Sequence, residues 1–172
     1  FSFSVEVKMT ELPSSGVYIV DTRLDDQRGY YMWIRPDGLT QFGWENGQDN
    51  FNTVQVSLAD VDWFNSWQEI TIVQTGSALS MFVEGELKAE LDGYLEAIAS
   101  RDRIILGRRN NGPGHDFHGL MDNIFVGSGM LSLADIQLAK CNGNGDGLGA
   151  GFWNLDNGST NSVGNGPSPT LV

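Results

Sequence analysis

Residues 67–91, Trp67-Gln-Glu-Ile-Thr-Ile-Val-Gln-Thr-Gly-Ser-Ala-Leu-Ser-Met-Phe-Val-Glu-Gly-Glu-Leu-Lys-Ala-Glu-Leu91, decide the fold class. The run from Trp67 to Thr75 alternates side chains between two faces, which is typical of a β-strand. Gly76-Ser77 and Glu84-Gly85 are turn signals that reverse the chain direction. This stretch therefore predicts three antiparallel strands joined by two tight turns.

Short alternating runs recur on both sides of this stretch. Phe1 to Met9 alternates strictly, and Phe117 to Val126 reads as a last long strand. Tyr30 to Arg35 is an aromatic-rich strand that ends at the turn signal Pro36-Asp37-Gly38. About a dozen such strands at hairpin spacing predict an all-β, two-sheet antiparallel sandwich with jelly-roll connections.

One short helix is predicted near the end of the chain, at Ser132–Lys140. Ser132-Leu-Ala-Asp135 is an acidic form of the capping box, and Lys140 suits a helix C-terminus. We therefore divide the chain into a jelly-roll core at residues 1–140, a Gly/Asn-rich linker at 141–149 and a C-terminal strand and tail at 150–172.

The C-terminal strand carries large apolar side chains in a polar setting, namely Phe152, Trp153 and Leu155. Left free, it would expose two rings and an unpaired edge, so it must dock somewhere. It either completes its own sandwich or is donated to a neighbouring molecule, and a donated strand would make these residues an assembly contact. A third reading makes the tail the start of a second repeat.

Charge and composition exclude several partners. The formal net charge is −12, and a nucleic-acid phosphate backbone needs a basic surface instead. No apolar run is long enough for insertion into a membrane. Cys141 is the single cysteine, so an internal disulfide is impossible.

The order of these landmarks resembles that of the laminin-G-like jelly rolls, which are similar to concanavalin A-like lectins and pentraxins. Phe3–Lys8 resembles the family's second strand, and Trp67–Ile72 its tryptophan strand, in which Trp67 would fill the space between the sheets. Ile104–Gly107 and Phe117–Val126 look like its closing strands. The opening strand of the family resembles residues 148–156, at the other end of this chain.

The resemblance implies a calcium site near the first loop and the closing strand. In this sequence it points to Asp122, Asn161 and Asp116, whose oxygen atoms are ligands that Ca²⁺ prefers. His115 and His118 resemble a zinc-binding motif. Residues three apart in a strand face opposite sides, however, so a shared zinc ion is not favoured. The Glu-x-Asp-x-x-Glu motif of related glucanases is absent, so we predict a protein without catalytic activity.

Sugar binding would use exposed rings beside polar groups, and the candidates are Trp63, Trp44, Tyr31 and Asn65. Packing of the same rings inside the sheets is the alternative. We expect an extracellular or surface-located module that binds a glycan or an extracellular protein, with Ca²⁺ as the candidate cofactor. The second hypothesis is a structural subunit of an extracellular filament or particle, self-associated by strand donation. The third hypothesis is a glycan-active enzyme.

Overall fold

The computed structural model describes residues 1–11, 14–23, 28–46, 51–56, 63–64, 66–76, 78–92, 104–109, 114–127, 132–141 and 150–153. Within these ranges the chain forms eleven strands and one helix. Their bounds are β1 Ser2–Met9, β2 Val17–Asp21, β3 Arg28–Ile34, β4 Thr40–Asn46, β5 Phe51–Val56, β6 Gln68–Thr75, β7 Ala78–Val83, β8 Glu86–Leu91, β9 Ile105–Leu106, β10 Gly119–Gly127, α1 Leu133–Cys141 and β11 Ala150–Trp153.

The strands form two antiparallel sheets, as predicted. The six-stranded sheet has the order β11-β10-β1-β6-β7-β8, and the five-stranded sheet has the order β5-β4-β3-β2-β9. The hairpins predicted from residues 67–91 are present as β6, β7 and β8. At the second turn Glu84 and Gly85 both have positive φ, of 51° and 77°, which suits a two-residue hairpin turn. The predicted all-β sandwich is confirmed.

The main core lies between the sheets and follows from the alternation within each strand. Phe3, Val5 and Val7 of β1 point inward and are 0% exposed. Tyr30, Met32 and Ile34 of β3 approach them from the other sheet and belong to the same cluster. Fully burying each such side chain contributes about 1.5–3 kcal/mol, so these alternating faces hold the two sheets together.

Helix α1 lies on the outer face of the six-stranded sheet. It packs against β10, and its Ile136 is 0% exposed although it lies outside the main core cluster. Phe125 of β10 is buried in the same way, and its backbone pairs with that of Ser4. The predicted capping box is confirmed, because the amide and hydroxyl of Ser132 donate to Asp135 at 3.0 and 2.6 Å. The Asp135 amide donates back to the Ser132 hydroxyl at 3.2 Å.

The tryptophan that fills the core is not the one that the family resemblance implied. Trp67 is 41% exposed, whereas Trp63 is 1% exposed and belongs to the core cluster. Trp63 is held at a turn, where its carbonyl accepts a hydrogen bond from the Met9 amide at 2.8 Å. The expectation for Trp67 is therefore wrong, since Trp67 precedes β6 on the outward-facing side of that strand.

The C-terminal strand lies at an edge of the six-stranded sheet of the same chain. The backbone of Ala150–Trp153 pairs antiparallel with Ile124–Gly127 of β10. The predicted linker begins one residue too early, because Cys141 is the last residue of α1. Residues 142–149, Leu155 and the rest of the tail lie outside the described residues. Donation of this strand to another molecule stays a prediction.

Among the described residues, no helix has the length and apolar character that a membrane crossing requires.

Candidate functional site

The outer face of the five-stranded sheet carries a set of aromatic and charged side chains. On β3 the inward residues alternate with Tyr31 and Trp33, which face outward. Tyr18 of β2 pairs with Trp33 through the backbone, and Asp21 pairs with Tyr31. We call this surface the aromatic face. It comprises Gly16, Tyr18, Asp21, Arg23, Tyr31, Trp33, Gln41, Gly43 and Glu45.

Two glycines let the rings lie down on the sheet. A Cβ on Gly16 would fall 1.8 Å from the indole nitrogen of Trp33, and one on Gly43 would fall 2.4 Å from Cζ of Tyr31. Both distances are far below van der Waals contact, so the rings occupy the space of the missing side chains. This close approach of ring to backbone is the reason that glycine is required at both positions.

The rings form a continuous platform. Tyr18 and Trp33 are stacked side by side, with centroids 5.9 Å apart and planes 10° from parallel. Tyr31 meets the edge of Tyr18 at 6.0 Å. Tyr18 and Tyr31 are 7% and 4% exposed, whereas Trp33 is only partly buried. Trp33 is therefore the ring of this platform that is accessible to a ligand.

Arg23 ties the platform to two buried carboxylates. Its Nε and Nη2 donate to the two oxygens of Asp21 at 2.9 and 3.0 Å, and its Nη1 donates to Oε1 of Glu45 at 2.5 Å. Its guanidinium lies over the rings of Tyr31 and Tyr18, 4.2 and 5.1 Å from their centroids. Burial alone would lower the pKa of Arg23, but the hydrogen bonds and charge of Asp21 outweigh it and raise that pKa. The side chain is thus held as a permanent cation beneath the surface.

The hydroxyl of Tyr31 accepts a hydrogen bond from Nε2 of Gln41 at 3.1 Å. Burial raises the pKa of Tyr31 to about 12, with Arg23 acting against it and Glu45 adding to it. This phenol therefore stays neutral throughout the physiological range, and it holds Gln41 at the rim of the aromatic face.

A cleft opens beside the aromatic face, and His115 belongs to both. Its Nδ1 donates to the carbonyl of Gly16 at 2.6 Å, which assigns the proton to that nitrogen. Its ring stands perpendicular to that of Tyr18, with centroids 5.9 Å apart. Its backbone has a φ of 65°, which residues other than glycine rarely adopt. Its carbonyl accepts a hydrogen bond from the Tyr18 amide at 3.1 Å. These contacts hold His115 against β2.

The cleft has a volume of about 360 Å³, which is enough for a sugar ring. Its lining comes from the β1–β2 connection and from the segment before β10. The lining residues are Met9, Glu11, Ser14, Ser15, Val17, Gly114, His115, Asp116 and His118.

The structure corrects the predicted exposure of three rings. Trp63, Trp44 and Tyr31 are 1%, 5% and 4% exposed, so none presents a ring face to solvent. Trp63 and Trp44 pack in the core cluster, while the guanidinium of Arg23 covers the ring of Tyr31. Asn65 lies outside the described residues. The accessible ring that the sequence analysis did not name is Trp33. Its exposure follows from the alternation of β3, because Met32 and Ile34 on either side of it face the core and Trp33 must face outward.

The predicted calcium ligands lie in different surroundings. Asp116 is exposed at the cleft, whereas Asp122 pairs through its backbone with Glu6 and accepts a hydrogen bond from the Asn123 amide at 2.7 Å. Asn161 lies outside the described residues. Within the described part of the chain, no group of three His, Cys, Asp or Glu side chains is placed to hold a metal. Calcium binding stays a prediction.

Comparison with known proteins identifies the architecture. A family model described as the concanavalin A-like lectin/glucanases superfamily matches residues 1–137. The chain superposes on a proposed carbohydrate binding protein from Bacteroides ovatus with a TM-score of 0.66 and 18% identity, covering 92% of this chain and 46% of that one. It superposes on the Ruminococcus gnavus IT-sialidase CBM40 bound to α2,3-sialyllactose with a TM-score of 0.61 and 17% identity, covering 81% and 80%.

The binding domain of botulinum neurotoxin serotype C1 is a further structural match, with a TM-score of 0.58, 15% identity and coverage of 82% of this chain and 36% of that one. A search of the curated protein sequences found no match. At these identities the superpositions show a shared fold.

Proposed function

Because the chain belongs to the concanavalin A-like lectin/glucanase superfamily, we propose that it is an extracellular, non-catalytic glycan-binding module whose ligand packs against Trp33. The observation that carries this proposal is the platform of Trp33 and Tyr18, held flat over Gly16 and flanked by polar groups. A flat ring beside hydrogen-bonding side chains matches a sugar, which has an apolar face and a rim of hydroxyls. Two matching structures are a sialidase CBM40 bound to α2,3-sialyllactose and a proposed carbohydrate binding protein, which supports the same interpretation.

The polar groups around Trp33 suit hydroxyl recognition. Gln41 lies on the neighbouring strand directly opposite Trp33, and His115 stands at the edge of Tyr18. Gln41 is held by the hydroxyl of Tyr31 and His115 by the carbonyl of Gly16. Such prior positioning lowers the entropy lost on binding, because the side chains need not be ordered by the ligand.

Binding without catalysis is supported by the state of the acids on the aromatic face. Glycoside hydrolysis needs one carboxyl that carries a proton and a second that attacks or activates water. Asp21 and Glu45 are 0% and 5% exposed and both bind the guanidinium of Arg23. A carboxylate in that position has no access to a glycosidic oxygen, so these two acids act as structural partners of Arg23.

The direct test is a glycan microarray followed by titration calorimetry with the best binder. Trp33→Ala should weaken binding by about tenfold or more, because the ring contributes the largest accessible apolar contact. Trp67→Ala is the matched control: its ring is 41% exposed, but it precedes β6 of the other sheet, and binding should change less than about twofold. Equal losses in the two variants, or no glycan bound by the unaltered protein, would contradict the proposal.

Calcium binding is tested by thermal unfolding of the same protein. If Asp122, Asn161 and Asp116 hold Ca²⁺, adding the ion should raise the melting temperature of the protein, and removing it with a chelator should lower it. An unchanged melting temperature across that comparison would argue against the site.

A role as an assembly subunit rests on a different observation, the position of β11 at the edge of the six-stranded sheet. A strand at an edge can be exchanged between molecules with the same backbone pairing. Strand exchange predicts oligomers in size-exclusion chromatography that disappear when residues 142–172 are deleted. A monomer at every concentration would exclude this role and leave the glycan-binding proposal intact.

A further inference from the structure

The cleft lies beside the platform on which the proposed ligand would pack, and His115 connects the two. Gly16 is the shared point, because it lies under the indole of Trp33 and its carbonyl accepts the Nδ1 proton of His115. His115 in turn lines the cleft and contacts the edge of Tyr18. Tyr18 contacts the rings of both Trp33 and His115, so a chain of sugars with one ring on Trp33 can extend across Tyr18 towards His115.

The polar lining of this cleft is acidic. Glu11 and Asp116 both line it, and the described lining contains no Lys or Arg. His118 is ion-paired with Glu11, so in its protonated form it offsets one of the two negative charges. Arg108 and Arg109 precede the segment that forms the cleft wall but do not line it. Arg35, at the end of β3, is paired with Asp37 at 2.9 Å.

The remaining lining supplies neutral hydrogen-bonding groups and a small apolar floor. Ser14 and Ser15 come from the β1–β2 connection, and Met9 and Val17 form the floor. Hydroxyls, carboxylates and an imidazole are suited to sugar hydroxyls and to a protonated amine. A carboxylate or sulfate on the sugar would meet Glu11 and Asp116 and be repelled by them.

We infer that this cleft is a second subsite, which holds the sugar next to the one on Trp33 and selects amino or neutral sugars over acidic ones. The inference rests on the proposed function, since it extends the ligand from the platform into the cleft. It assigns the ligand to a chemical class: an oligosaccharide whose residue in the cleft carries an amine or only hydroxyls.

The test compares three β1,4-linked tetrasaccharides that differ in charge, built from glucosamine, glucose and glucuronic acid. At a pH of about 6 the amine is protonated, and titration should give the order glucosamine, glucose, glucuronic acid, with about fivefold or more between the first and last. Raising the salt concentration should weaken glucosamine binding and leave glucose binding nearly unchanged.

Variants assign the preference to the cleft. Glu11→Gln and Asp116→Asn should each reduce the ratio of glucosamine to glucuronic acid affinity by about two- to fivefold, with little change in glucose affinity. Glu86→Gln is the matched control, because this exposed carboxylate is on β8 of the other sheet and should leave the ratio unchanged. Melting temperatures of all three variants check that the fold is kept.

The outcomes separate the two proposals. If none of the three tetrasaccharides binds and the glycan array is also blank, the proposed function fails and this inference fails with it. If glycans bind but the glucuronic acid tetrasaccharide or other acidic glycans bind best, the inference alone is overturned. A preference for glucosamine that Glu11→Gln and Asp116→Asn leave intact would also overturn it.

Discussion

The two sheets present outer faces of opposite character. On the six-stranded sheet the outward side chains of β1 and β6 include Ser4 and Thr71, whose hydroxyls hydrogen-bond at 2.9 Å. Small side chains of this kind leave room for helix α1, whose Ile136 is buried there. On the five-stranded sheet the outward residues are large rings laid over Gly16 and Gly43. Helix α1 covers part of the outer face of the six-stranded sheet. The outer face of the five-stranded sheet carries aromatic rings, of which Trp33 is partly accessible to solvent.

The difference shows how outward residues decide what a sandwich face can do. Both sheets use the same inward alternation to build one core, so the outward positions are free to differ. The hydroxyl-lined face and the Ile136 side chain of α1 that is buried against it form a second, smaller core. The aromatic face instead contains a buried ion pair whose guanidinium packs on the rings of Tyr31 and Tyr18, which stiffens the surface without covering Trp33. Four substitutions test this contrast.

The largest effect should come from Arg23→Met. Removing the guanidinium leaves Asp21 and Glu45 buried without their cation, and breaking a buried pair in this way costs about 3–5 kcal/mol of unfolding free energy. Urea denaturation measures the loss. The triple variant Asp21→Asn, Arg23→Met, Glu45→Gln should recover part of it, because the uncompensated charges are gone. A loss below about 1 kcal/mol for the single variant would show that the ion pair is not structural.

The second effect belongs to the other face. Ile136→Ala should cost about 2–4 kcal/mol, because it leaves a cavity between α1 and the six-stranded sheet. Glycan binding at Trp33 should not change, since the helix lies on the opposite side of the molecule. Leu138→Ala, at a side chain that is 61% exposed on the same helix, is the control and should stay within about 0.5 kcal/mol. Loss of binding in Ile136→Ala at a temperature where it is folded would contradict the separation of the two faces.

A smaller effect is expected at alkaline pH. The pKa of Tyr31 is about 12 in the folded protein, above its ordinary value of about 10, because burial disfavours the charged form. The stabilisation from this group is complete below a pH of about 10 and is lost as the pH rises through about 12. Tyr31→Phe should flatten this decline without removing it, since burial also raises the pKa of Tyr30. Urea midpoints across the alkaline range provide the measurement; identical slopes for both proteins would contradict the assignment.

The smallest effect is at the start of helix α1. Ser132→Ala removes the hydroxyl that accepts from the Asp135 amide and donates to its carboxylate, and loss of such a cap costs about 1 kcal/mol. The hydrogen bonds from Ser132 also hold the pKa of Asp135 below its usual range. Thermal unfolding should therefore show a small drop, with glycan binding unaffected. No drop in the melting temperature would mean that the capping box contributes nothing measurable.

The fold could be predicted from the sequence because its signals are local. Alternation over residues 1–9 and 67–75 marked strands, Glu84-Gly85 marked a hairpin turn, and Ser132 with Asp135 marked the helix start. The burial of Trp63 and the exposure of Trp67 were not predicted. Trp63 is in a turn, where alternation carries no information about burial. A turn residue is placed by the tertiary path of the chain rather than by its neighbours.

The site was harder to predict because its contacts are distant in sequence. Arg23 meets Glu45 across 22 residues, and His115 meets Gly16 across 99. The outward position of Trp33 could have been predicted, because a strand with Met32 and Ile34 on its inner face must turn Trp33 outward. The position of Gly16 beneath Trp33 could not be predicted. It depends on the pairing of β2 with β3, which no local sequence pattern specifies.

Packing of a glycan on Trp33 is tested most directly by following the indole N–H signals of the five tryptophans in a ¹H–¹⁵N spectrum while the best-binding glycan is added. The signal assigned to Trp33 by a Trp33→Phe variant should shift most, because its ring is the accessible part of the aromatic face; its nitrogen is buried against Gly16 and will report contact at the ring. The signal of Trp67 should stay in place. A shift at Trp67 with Trp33 unmoved would place the ligand on the other sheet and contradict the account.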